Sequence, residues 1–199
     1  MTPFRREFRL AFGLDFPGEA IELPLPRVRF ALLDDSACST TIDSAIERCC
    51  SIFEAAFGAI DEVWIELQFH PWLRSPDPTD SIEVLESHGL RPAMPSDWTA
   101  DLVRHGDGDE HRYSARIPVG SPGLKTLFRA ICLADHGTWE QITPSALFFS
   151  TVPAVGYWPY DDRGADLFAR RPESLKCVSS LPRSWILESN FASSDGGES

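Results

Sequence analysis

The sequence predicts a single α+β domain: a mostly antiparallel sheet of about five to seven strands packed against two or three main helices. Three observations carry that prediction. Ile42, Ala45, Ile46, Cys49, Phe53, Ala56 and Phe57 recur at helical spacing; Val63, Ile65, Leu67 and Phe69 alternate with Trp64, Glu66 and Gln68; and Asp161 to Gly164 has the composition of a tight hairpin turn. At 199 residues with 43% apolar composition, the chain is long enough for a sizeable core without a metal or disulfide staple. Six Trp and thirteen Phe supply much of that core.

In chain order, two strand-like runs are expected at Phe8–Phe16 and Arg27–Leu33, separated by a segment punctuated with Pro17, Gly18, Pro24 and Pro26. The amphipathic helix follows, with Thr40 placed to cap its start and Gly58 its end. The alternating run Asp61–Phe69 reads as a strand with one buried face. Prolines at 71, 76, 78, 92 and 95 leave room for a short helix, Ser81–His88, capped by Asp80 and ended by Gly89. Ser96–Glu110 ends in a polar turn, and strand character returns at His111–Val119. Ser121 and Pro122 open a second clear helix running toward Gly137. A strand at Ala146–Val152 precedes a hairpin across Val155–Ala169. A terminal helical stretch from Pro172 to about Asn190 should be kinked or split by Pro182. The domain is expected to span residues 1–191, with 192–199 a disordered acidic tail that has nothing to bury.

In the hairpin, Asp161 is expected to hydrogen-bond back to the turn backbone, and Gly164 to adopt the left-handed conformation that starts the second strand. Pro159 suggests an edge strand or a bulge, because proline cannot donate to the ladder. The run Tyr160-Asp161-Asp162-Arg163-Gly164, with Asp166, Leu175 and Trp185-Ile186-Leu187, resembles a bacterial domain family of unknown function. Its hallmark is this turn followed by a Trp-containing helix. Arg29-Phe30-Ala31-Leu32, Arg48, Ile52-Phe53, Phe57 and Asp61 resemble the same family in order. The resemblance implies an immunity-type protein, by analogy with small acidic bacterial domains that neutralise a toxin.

Composition narrows the function classes. A net charge of −12 argues against nucleic acid or an anionic membrane as partner, since phosphate binding needs clustered Lys and Arg, and favours a basic protein partner, a toxin domain in the leading reading. The absence of a long apolar run and of a secretion signal predicts a cytoplasmic protein. The five cysteines, Cys38, Cys49, Cys50, Cys132 and Cys177, are expected to be reduced and mostly buried. No Cys-x-x-Cys or His-x-x-x-His pair, phosphate loop or nucleophile elbow is present, so neither a cofactor nor a metal is expected.

The expected partner-binding set joins the acids Asp34, Asp35, Asp107, Asp109 and Glu110 to Trp72, Trp98 and Trp158, because a negative field speeds encounter with a basic protein and Trp is enriched at hot spots. The alternative is a small hydrolase or nucleotide-acting enzyme. It would use Asp161, Asp162 and Asp166 for a metal or acid–base work and Arg163 for an anionic substrate. Against it stands a structural reading of the same turn, with Arg163 paired to Asp166 across the hairpin. A homodimeric scaffold domain is the third reading.

Overall fold

The computed structural model describes residues 1–14, 25–33, 41–69, 77–93, 98–105, 108–134, 145–161 and 163–190. Helix α1 (Pro3–Phe12) comes first, followed by β1 (Arg27–Ala31), α2 (Ile42–Phe57), β2 (Glu62–Phe69) and α3 (Pro78–Ser87). Next are β3 (Thr99–His105), β4 (Gly108–Pro118), α4 (Gly123–Leu133), β5 (Ser145–Thr151), β6 (Ala154–Pro159) and β7 (Gly164–Ala169). Two 3-10 segments, Pro172–Ser180 and Arg183–Trp185, lead into β8 (Ile186–Ser189). The strands form one eight-stranded sheet in the order β3-β4-β2-β5-β6-β7-β1-β8, antiparallel at every pairing. The chain is therefore a single-domain α+β fold, as the patterning predicts, and the sheet has one strand more than the expected range.

Register divides the side chains between two cores. Val28, Phe30, Val63, Ile65, Leu67, Ile117, Phe148, Tyr157 and Leu167 share the inner face and pack under α2 and α4, with Leu175 and Val178 closing one end. The outer face carries Leu147, Phe149 and Phe168, covered by Phe4, Phe8, Ala11 and Phe12 of α1. Every residue of β7 is buried, and so are residues 146–150 of β5. A two-sided sheet of this kind needs a helical cover on each face.

Several expectations are corrected. Phe8–Phe12, the first part of the strand expected at Phe8–Phe16, is helical: Pro3 occupies the first turn, the Thr2 hydroxyl accepts from the Arg5 amide at 3.4 Å, and Gly13 ends the helix at φ 76°, while Asp15 and Phe16 lie outside the described residues. Phe4, Phe8 and Phe12 then fall on one buried stripe, a period of four that is visible only once Phe4 is included. Asp77 caps α3 instead of Asp80, accepting from the Thr79 amide at 2.8 Å with Pro78 in the first turn. Gly89 does follow that helix, at φ 91°. Thr41 stands at the start of α2; Thr40 and Gly137 lie outside the described residues. Ser121 bonds the Pro118 carbonyl, and α4 begins at Gly123.

The polar stretch before Glu110 holds β3, an edge strand whose outward positions tolerate charge. The terminal stretch is split at Pro182 as predicted, but it is 3-10 helix and then strand, and Trp185 ends a three-residue turn of 3-10 helix instead of lying in an α-helix. Strand β6 lies inside the sheet, yet its pairing with β5 stops at Tyr157, so Pro159 occupies a locally unpaired flank. The expected tail, residues 192–199, lies outside the described residues.

At Gly156 of β6, an added Cβ would lie 2.2 Å from the Phe168 ring, which rests directly on the strand. Gly156→Ala is expected to lower stability by about 1–3 kcal/mol through overpacking, read by chemical denaturation. An unchanged midpoint would contradict the close approach.

Candidate functional site

The residues of the Tyr160–Asp166 turn meet distant parts of the chain at one corner of the sheet. The Asp161 Oδ1 accepts from the amides of Arg163 at 2.8 Å and Gly164 at 3.0 Å, while its Oδ2 accepts from Arg163 Nε at 2.9 Å. The carboxylate thus closes the turn as expected. Two details differ from expectation. Arg163 pairs with Asp161 and not with Asp166, whose carboxylate is taken by Arg29 Nε at 3.0 Å and Nη2 at 3.3 Å from the neighbouring strand β1. Gly164 has no positive φ; it is glycine because a Cβ would lie 2.4 Å from the Tyr160 hydroxyl.

Register explains the Arg29–Asp166 fork: the two residues face each other directly across the β1–β7 ladder, with Trp158 opposite Asp166 on the other side. Asp166 is 2% exposed. The hydrogen bond and charge of Asp166 raise the Arg29 pKa. Burial, followed by the Asp166 charge, raises that of Tyr160, whose ring meets Trp158 edge-on at 6.4 Å. Glu188 of β8 approaches Arg29 from its other flank at 3.8 Å. From α2, Arg48 donates to the Ala31 carbonyl at 3.1 Å and lies 5.2 Å over the Trp185 ring, tying the helical layer to the same corner. Chemically, Asp161 and Asp166 are each committed to an arginine, an arrangement that joins β1, β7 and the turn.

A second charged cluster lies on the outer face near α1 and was not legible in the sequence. Glu66 and Gln68 of β2 face Ser114 and Arg112 of β4. Arg112 binds Glu110 through Nε and reaches Glu66 at 3.4 Å, while Gln68 donates to Glu66 at 2.9 Å. Glu66, Glu110 and Arg112 are 2%, 3% and 3% exposed. Burial raises the Glu66 pKa, and the Arg112 charge and the Gln68 hydrogen bond only partly offset it. The available signal was that Glu110 and Arg112 continue the period-two pattern of β4 opposite Glu66 and Gln68.

Glu110 therefore leaves the expected acidic surface, because its carboxylate neutralises a buried guanidinium. Asp109 is exposed. Trp98 is half-buried against the inner core and donates to Glu86 at 2.9 Å; Trp158 is half-buried against the outer cluster. Asp34, Asp35, Trp72, Asp107 and Asp162 lie outside the described residues, as does Cys38. The four described cysteines are free thiols, with Cys49 and Cys132 buried and their sulfurs 4.0 Å apart; burial raises the Cys49 pKa strongly. Among the described residues no group of three or more His, Cys, Asp or Glu is placed to hold a metal, and no helix is long and apolar enough to cross a membrane.

Residues 23–190 match the family described as Domain of unknown function (DUF3885), and the chain belongs to that family. No match is found among curated proteins or among solved structures.

Asp166→Ala should cost on the order of 1–3 kcal/mol, because Arg29 loses both bonds to a buried carboxylate; equilibrium denaturation reads it, and a change below a few tenths would show the fork to be idle. For Glu66 the folded pKa lies above the ordinary value of 4.5, so the folded state binds the extra proton and stability should fall as pH rises from about 4.5 through the higher folded value. Glu66→Gln is expected to flatten that fall, measured as the pH dependence of the thermal midpoint.

Proposed function

We propose that this chain is a bacterial, cytoplasmic binding protein of the immunity type, which neutralises a toxin by occluding its basic active-site surface. What carries this reading is the excess of carboxylates over basic side chains in the sequence, 30 against 18. Arg29, Arg112 and Arg163 are engaged by Asp166, by Glu66 and Glu110, and by Asp161. These three arginines and four acids come to −1 between them, so nearly all of the net charge of −12 is carried by other residues of the chain. Asp77 at the start of α3, Asp80 and Glu83 on α3 and Asp109 on β4 are exposed carboxylates that a basic partner could meet. A field of this sign raises the encounter rate with a basic partner, while affinity comes from packed contacts.

The Tyr-Asp-Asp-Arg-Gly turn is, in this reading, the family's hallmark because it fixes the β1–β7 corner and holds Trp158 and Tyr160 beside it. Trp158, with Trp98, remains a candidate contact, and the expected acids other than Glu110 remain part of the steering field. The basic toxin would be encoded beside this gene.

Co-expression with the product of the neighbouring gene tests the proposal. Growth arrest by that product, relieved by this chain, is the expected outcome. The triple variant Asp80→Lys, Glu83→Lys and Asp109→Lys should slow association by about 10-fold or more at low salt, with a smaller change in dissociation. A neighbour without toxicity, or association indifferent to the three reversals, would sink the reading.

A further inference from the structure

Helix α1 lies outside residues 23–190, the part that matches the family, yet it covers an aromatic surface built from strands inside that part. Phe4 and Phe8 meet the Phe149 ring edge-on at 5.0 and 5.3 Å, Phe4 meets Trp64 at 6.2 Å, and Phe12 tilts onto Phe168 at 5.3 Å. Beneath α1 is the outer face of the sheet, separated from the main core by the sheet itself. The helix is basic on an acidic chain, with Arg5, Arg6 and Arg9 against Glu7 alone. Arg5 faces a carboxylate of the sheet, lying 3.7 Å from Asp101, while Arg6 pairs with Glu7 of its own helix at 3.0 Å and lines an open groove of about 730 Å³ together with Asp61, Glu62 and Arg116. Its last carbonyls, those of Leu10 and Ala11, accept from Arg170 at 3.4 Å.

We infer that the outer face is a seat for a basic amphipathic helix with phenylalanines four residues apart, filled in cis by α1, and that the partner's helix of this kind displaces α1 to bind. The seat supplies what such a helix needs, an aromatic floor for the i, i+4, i+8 stripe and a carboxylate, Asp101, for an arginine beside it. The inference rests on the reading of a basic partner. It adds where the partner seats, while the exposed acids steer it there.

The probe is a fluorescently labelled peptide with the sequence of residues 1–14, added to the full-length protein and followed by anisotropy. In the unaltered chain α1 competes at an effective concentration on the order of millimolar, so the peptide should bind weakly. The full-length Phe8→Asp variant, with its own helix loosened, should bind it at least 10-fold more tightly, and adding Phe149→Ala should abolish the gain. Cooperative thermal unfolding checks that the variants remain folded. Should Phe8→Asp not fold, Phe12→Ala, a milder loosening of the same helix, carries the same expectation. No gain in either variant overturns the inference. A loosened variant that dimerises by exchanging α1 assigns the seat to a second copy and overturns the partner assignment. Peptide binding without capture of the neighbouring toxin supports the seat and sinks the toxin reading. Toxin capture that survives Phe8→Asp combined with Phe149→Ala overturns the seat alone.

Discussion

A sheet with both faces covered has no place for an unpaired polar side chain, and this fold is organised around that constraint. Strands β2, β5 and β7 are buried almost end to end, with aliphatic and aromatic side chains on the inner face and a mixture on the outer one. Where the outer face is apolar, α1 covers it. Where it carries charge, each acid is set against a guanidinium, because an isolated buried carboxylate would cost several kcal/mol, on the order set by ion desolvation. Arg112 between Glu66 and Glu110, and Arg29 on Asp166, are the two local solutions.

The same constraint explains why the turn residues act at a distance. Strand β1 sits between β7 and β8, so this end of the open sheet forms only when residues 164–169 and 186–189 pair with a strand near residue 30. Contacts so far apart in sequence pay their loop-closure entropy before they are rewarded. Arg29 with Asp166, the Leu32 amide on the Arg163 carbonyl at 3.0 Å, and Arg48 on both Ala31 and Trp185 hold this junction together. A tight turn, a glycine and a tryptophan in the sequence thus become one corner in space, and Gly164 is small where Tyr160 folds over it.

The division of charge has a functional consequence. Register sets Arg29 and Arg112 beside buried carboxylates, while the exposed Arg163 closes its own turn on Asp161. Basic residues do gather in α1, where they lie along the aromatic stripe on the outer face. The molecule therefore carries, on its own first helix, a pattern of charge and aromatic spacing matched to its outer surface.

The sequence by itself determined the α+β class, the long helix α2, the strand β2, the helix after Pro122 and the hairpin around Asp161, since each is written in local periodicity or turn chemistry that neighbours three or four residues away can satisfy. It left α1, β3 and β8 unread: α1 because its stripe begins before the run taken for a strand, β3 and β8 because edge strands carry few buried residues. Only the tertiary structure decided that Glu66, Gln68, Glu110 and Arg112 are buried, since an alternating polar residue looks solvated until a second layer covers its face. It alone chose Arg29 as the partner of Asp166, because cross-strand register between residues 137 apart follows from how the whole sheet is ordered and not from either strand alone.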